Sequence, residues 1–71
     1  MSWRDEFIDL LLKEGFITED ESICLMNNKG ESTVDGRELR IAKAKDYYLY
    51  VDDDFCIKYD DWRDKWDVYD I

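Results

Sequence analysis

The stretch Tyr47-Tyr48-Leu49-Tyr50-Val51-Asp52-Asp53-Asp54-Phe55-Cys56-Ile57-Lys58-Tyr59 decides the fold class. Two runs rich in aromatic and β-branched residues flank three aspartates, the pattern of an antiparallel hairpin with a short charged loop. Upstream, Leu39 and Ile41 alternate with charges in Arg37-Glu38-Leu39-Arg40-Ile41-Ala42-Lys43. If extended, this segment pairs as a third strand, entered through a turn at Asp35-Gly36. Its Ala, Leu, Lys and Arg content suits a helix equally well.

Toward the N-terminus the period changes from two to 3.6. Trp3, Phe7, Leu10, Leu11 and Glu14 recur at helical spacing, with Ile8 and Leu12 widening the apolar stripe. Ser2 stands as the cap with Asp5 three residues on, and Gly15 suits a left-handed C-terminal cap. The spacing predicts a helix over Trp3 to Glu14. Thr18-Glu19-Asp20-Glu21 is a second capping-box signature. It starts either a short helix through Met26 or, as we read it, a helical turn followed by a strand. A turn at Asn27-Asn28-Lys29-Gly30 follows.

The tail is ambiguous. Trp62, Trp66 and Tyr69 fall at i, i+4 and i+7, with Asp60, Asp64 and Asp67 at the same spacing on another side. A helix capped by Asp60 or Asp61 would separate an aromatic face from an acidic one, while Lys65 to Ile71 also reads as a strand. The expected fold is a single small α+β domain over residues 1–71. Its N-terminal helix packs on a three- to four-stranded antiparallel sheet, with a short C-terminal helix as one form of the tail.

The chain has 71 residues, 19 acids, 10 bases and no histidine, a net charge of −9. Nucleic-acid and anionic-membrane surfaces would repel it. Without histidine there is no Ser-His-Asp or Cys-His nucleophile and no imidazole-bound zinc. At 45% hydrophobic and 15% aromatic the composition still favours a folded domain over an acidic tail. The opening Met-Ser-Trp-Arg-Asp-Glu lacks a signal-peptide pattern, and Cys24 and Cys56 stand 32 positions apart. Two free, mostly buried thiols in a cytoplasmic protein is the expected arrangement, in a bacterial host if the source is a phage.

An EF-hand loop beginning at Asp52 would need Gly and Glu where Ile57 and Arg63 stand, and registers beginning at Asp53 or Asp54 place Phe55 or Cys56 at the third position. The three glycines form no phosphate loop. Neither catalytic residues, nor a metal, nor a cofactor is expected.

Position along the chain is more informative than total charge. Residues 1–45 hold 10 acids and 7 bases, net −3; residues 46–71 hold 9 acids and 3 bases, net −6. Those nine acids are all aspartates: Asp46, Asp52, Asp53, Asp54, Asp60, Asp61, Asp64, Asp67 and Asp70. Eight of the eleven aromatics share the segment, with Tyr50, Trp62 and Trp66 as candidate anchors. Short carboxylate side chains on a rigid surface imitate the phosphate spacing of DNA, about one charge per 1.7 Å of axis. The stretch Arg37 to Lys45, net +3, is expected to face the acidic hairpin.

The expectation is therefore a small acidic inhibitor that occupies the basic, nucleic-acid-binding surface of a partner protein. In size and charge alone the chain is similar to phage-encoded DNA mimics such as anti-CRISPR and anti-restriction proteins. The alternatives are an adaptor or homo-oligomerisation module using Trp62, Trp66, Tyr69 and Trp3, or an immunity or antitoxin partner of a basic nuclease. The expected state is monomer or homodimer, with no direct nucleic-acid or membrane contact.

Overall fold

A computed structural model describes residues 2–70. Two helices, α1 (Trp3–Glu14) and α2 (Glu19–Asn27), precede five strands: β1 (Glu31–Val34), β2 (Arg37–Lys43), β3 (Tyr48–Val51), β4 (Phe55–Asp60) and β5 (Lys65–Asp70). The strands form one antiparallel meander in the order β1-β2-β3-β4-β5. The α+β class holds, with five strands where three to four were expected.

Each helix begins where its cap dictates. The Ser2 hydroxyl accepts from the Asp5 amide, and Gly15 closes α1 at φ 82°. Thr18 and Glu21 complete a reciprocal capping box, their side chains accepting from each other's amides at 3.2 and 2.8 Å. That box carries α2 on to Asn27, so Ser22 to Met26 is helical and not a strand. Gly30 then brings the chain onto β2. At φ 89° its Cα lies so close to Ile41 that an added Cβ would stand 2.8 Å from Cγ1.

Asp35 and Gly36, at φ 52° and 81°, form the two-residue turn with both central residues left-handed that suits a twisted hairpin. Arg37–Lys43 is a strand because its alternation puts Leu39 and Ile41 in the core. The tail is a strand too. Asp60 Oδ1 accepts from the amides of Trp62 and Arg63, and Asp64 turns left-handed at φ 52°, returning the chain along β4. This overturns the C-terminal helix; of the strand reading Lys65 to Ile71, Ile71 lies outside the described residues.

Both helices pack on one sheet face. Phe7, Ile8, Leu11 and Leu25 meet Leu39, Ile41, Tyr50, Ile57 and Tyr59 in a single core. Across this face Tyr48, Tyr59 and Trp66 stand side by side in register and stack beneath Phe7. The opposite, outer face carries Glu31, Arg40, Val51, Cys56 and Tyr69 in one cross-strand row, and Ala42, Leu49, Lys58 and Asp67 in the next.

Candidate functional site

The meander sends its loops to two opposite ends of the sheet, and the aspartates divide between them. Asp46 in the β2–β3 loop joins Asp60, Asp61 and Asp64 of the β4–β5 turn at one end. Asp52, Asp53 and Asp54 of the β3–β4 loop lie at the other, beside Asp70, which pairs with Phe55. Asp67 sits on the outer face, 3.9 Å from Lys65. No single surface therefore runs from Asp46 to Asp70.

Three of these aspartates work inside the fold. Asp52 is 4% exposed. Its Oδ1 accepts from the amides of Asp54 and Phe55, and its Oδ2 from the Tyr50 hydroxyl and the Arg37 guanidinium. Burial alone would raise its pKa, but those amides, the hydroxyl and the Arg37 charge together hold it below the usual carboxylate range. Asp60 organises the β4–β5 turn. Asp64 accepts from the Tyr59 hydroxyl at 2.9 Å, and burial plus that bond push the Tyr59 phenol up to about 12. A triple substitution of Asp60, Asp64 and Asp67 would therefore disturb the hairpin as well as its charge.

The aromatic candidates separate as well. Tyr50 is fully buried, so it anchors the core and not a partner. Trp66 is half-buried with its ring 4.2 Å from Tyr59, and Trp3 stacks on Tyr48 at 5.9 Å. Tyr69 points to the outer face. Trp62, 89% exposed at the tip of the β4–β5 turn, stands away from all of them. The aromatic face expected from a helical tail does not exist, because a strand sends alternate residues to opposite sides.

What the fold does assemble is an acidic pole. Arg37 opens β2 beside the β1–β2 turn and reaches Glu21 of α2 at 3.3 Å, Asp52, and Asp54 at 3.9 Å. These contacts bring the first turn of α2 (Glu19, Asp20, Glu21), the turn residue Asp35, the loop Asp52–Asp54 and Asp70 to one end. Glu21 and Asp52 are buried, while Glu19, Asp20, Asp35, Asp53, Asp54 and Asp70 are exposed. The one base these segments set against them is Arg37, whose charge is held by Asp52 and Glu21 despite its desolvation. Beside the pole, a groove of about 490 Å³ runs between the β1–β2 hairpin and the β3–β4 loop, bordered by Glu31, Glu38 and Asp53.

Of the basic stretch Arg37 to Lys45, Arg37 meets the acidic hairpin, whereas Arg40 pairs with Glu31 of β1 and Lys43 lies over the Tyr48 ring. Glu19, Asp20 and Asp35 were missed because they belong to the less acidic half of the sequence. Their signal was nonetheless present: acids gather in the first turn of helices and in tight turns, which are element ends.

Cys24 and Cys56 are free thiols, each half-buried. Among the described residues no group of three or more acids and cysteines is arranged to hold a metal ion, and no helix is long and apolar enough to cross a membrane. No protein-family model, curated protein or solved structure matches the chain.

Proposed function

We propose that the chain is a small acidic binding protein whose pole docks on the basic, nucleic-acid-binding surface of a partner protein. The observation that carries this is the convergence of six exposed carboxylates, from four separate segments, around one already paired arginine. Each carboxylate sits on a helix first turn, a tight turn or a strand end, so its position is held by backbone hydrogen bonds and costs little entropy to present. A basic channel built for phosphates meets a comparable density of fixed charge, and long-range attraction speeds the encounter. Free thiols suit a reducing, cytoplasmic setting. The targets that fit are nucleic-acid-binding proteins of the kind phage-encoded anti-CRISPR and anti-restriction proteins block.

The test immobilises the chain, captures proteins from a bacterial lysate and elutes them with graded salt. Purified captured protein is then challenged with duplex DNA and with the variant Asp20→Asn/Asp35→Asn/Asp53→Asn/Asp54→Asn. Four exposed carboxylates at roughly 0.5–1 kcal/mol each amount to about a hundredfold in affinity. The expected result is salt-steep binding that DNA displaces and the variant loses. Binding that survives the four substitutions, or that duplex DNA leaves untouched, overturns the proposal.

A further inference from the structure

The two edges of the sheet differ in what they leave open. The Asp52 amide donates to the Phe55 carbonyl at 3.0 Å, and the Ala44 amide to the Tyr47 carbonyl at 2.9 Å. Backbone groups of successive residues in an antiparallel ladder point to opposite sides, so these two bonds set the phase of the sheet. Carried through the register, they turn Cys56 and Lys58 of β4 toward Tyr69 and Asp67 of β5. The amides and carbonyls of Trp66, Val68 and Asp70 therefore point away from β4. Among the described residues nothing pairs with them. The β1 edge is largely closed by comparison. It is four residues long, and the Asn28 carbonyl takes the Glu31 amide, leaving Thr33 with both groups open.

The features that ordinarily blunt an exposed edge are absent from β5. It follows β4 through six consecutive pairs without a bulge, and the chain has no proline. Val68 and Tyr69, on opposite faces, are each more than half exposed. Charge selects what can lie along this edge. Asp67 on the outer face and Asp70 on the helix side bracket Val68. Even with Lys65 beside Asp67, residues 61–70 carry four aspartates against two bases. A second copy would bring a further −9 to the edge, whereas a cationic strand is drawn to it.

We propose that β5 takes up an extended, cationic segment of a partner protein as a sixth, antiparallel strand. Main-chain bonds to Trp66, Val68 and Asp70 supply the affinity, and alternate side chains supply the selection. An apolar residue of the segment lies opposite Val68, and a Lys or Arg lies opposite each of Asp67 and Asp70. The pattern selected is Lys/Arg-x-apolar-Lys/Arg, with x against the Tyr69 ring. Asp70 alone of these residues belongs also to the acidic pole, so this surface stands independently of the docking proposed above.

The probe is the acetylated, amidated peptide Thr-Lys-Thr-Val-Lys-Thr, titrated into the isotope-labelled chain and followed by amide chemical shifts. Shifts centred on Trp66, Val68 and Asp70 should saturate with a Kd of about 0.1–1 mM. N-methylation of the peptide's valine removes the donor that faces the Val68 carbonyl while keeping every side chain and charge. It should weaken binding about tenfold or more. Asp67→Lys, on the face away from the core, should weaken it about fivefold or more, and a peptide with both lysines replaced by glutamate should not bind. Val68 and Asp70 amides that stay unmoved at about 5 mM peptide overturn the proposal, as do shifts confined to the acidic pole. Equal binding of the N-methylated peptide, of the glutamate peptide or by Asp67→Lys overturns it as well.

Discussion

Asp52 accepts from two loop amides, a buried hydroxyl and a guanidinium, so it closes the β3–β4 turn and ties that turn to β2. Replacing it by alanine leaves four donors without their acceptor and removes the counter-charge from Arg37. The cost for such a hub is about 3–5 kcal/mol, against a total of roughly 4–10 kcal/mol for a chain of this size. Asp52→Ala should therefore be largely unfolded at 37 °C by circular dichroism. Asp52→Asn keeps one acceptor oxygen and should lose less. The folded carboxyl titrates below its unfolded value of about 3.9, so its contribution is complete above that pH and is lost as the pH falls through the folded value. Acid titration of the wild type should show this loss below about pH 4, and Asp52→Asn should lack it.

At the scale of elements, local signals near the N-terminus outweigh those near the C-terminus. The Thr18–Glu21 box is reciprocal and satisfies two amides that the helix itself leaves open. Thr18→Ala should cost about 1 kcal/mol and lower the melting temperature by about 4–8 °C in a thermal scan. The tail shows the opposite case. Trp62, Trp66 and Tyr69 have helical spacing, yet Asp60 and Asp64 turn the chain and β4 offers an open ladder edge. Pairing with β4 satisfies the backbone groups of Lys65–Asp70 and buries Trp66 against Tyr59 and Phe16. Those gains come from residues distant in sequence or from the partner strand, and periodicity within the tail does not report them. The Arg37–Lys43 segment was undecided for the same reason until β1 and β3 claimed its two edges.

For the whole molecule, a net charge of −9 on a body 32 × 30 × 20 Å opposes the compact state through self-repulsion. The acidic pole concentrates that repulsion. Added NaCl from about 10 to 200 mM should therefore raise the urea midpoint of unfolding, since screening lengths fall from about 30 to under 10 Å. A midpoint that drops over this range would mean that the surface ion pairs outweigh the repulsion.

The sequence by itself determined the α+β class, the limits of α1, the turns at Asp35-Gly36 and the three aspartates, and the absence of histidine chemistry. These depend on neighbours within a few residues, where caps, φ preferences and side-chain period act directly. It also carried the excess of negative charge, but as a linear density centred on residues 46–71. Only the tertiary structure decided that the tail is a strand, that Asp52 and Tyr50 are interior, and that Glu19, Asp20 and Asp35 stand with Asp53, Asp54 and Asp70. Alternation along each strand and reversal at each hairpin send neighbouring aspartates to opposite ends and faces. The salt bridges of Arg37 then draw together acids from α2 and the β3–β4 loop that lie more than thirty positions apart. Charge along a chain is local, whereas a charged surface is a product of topology.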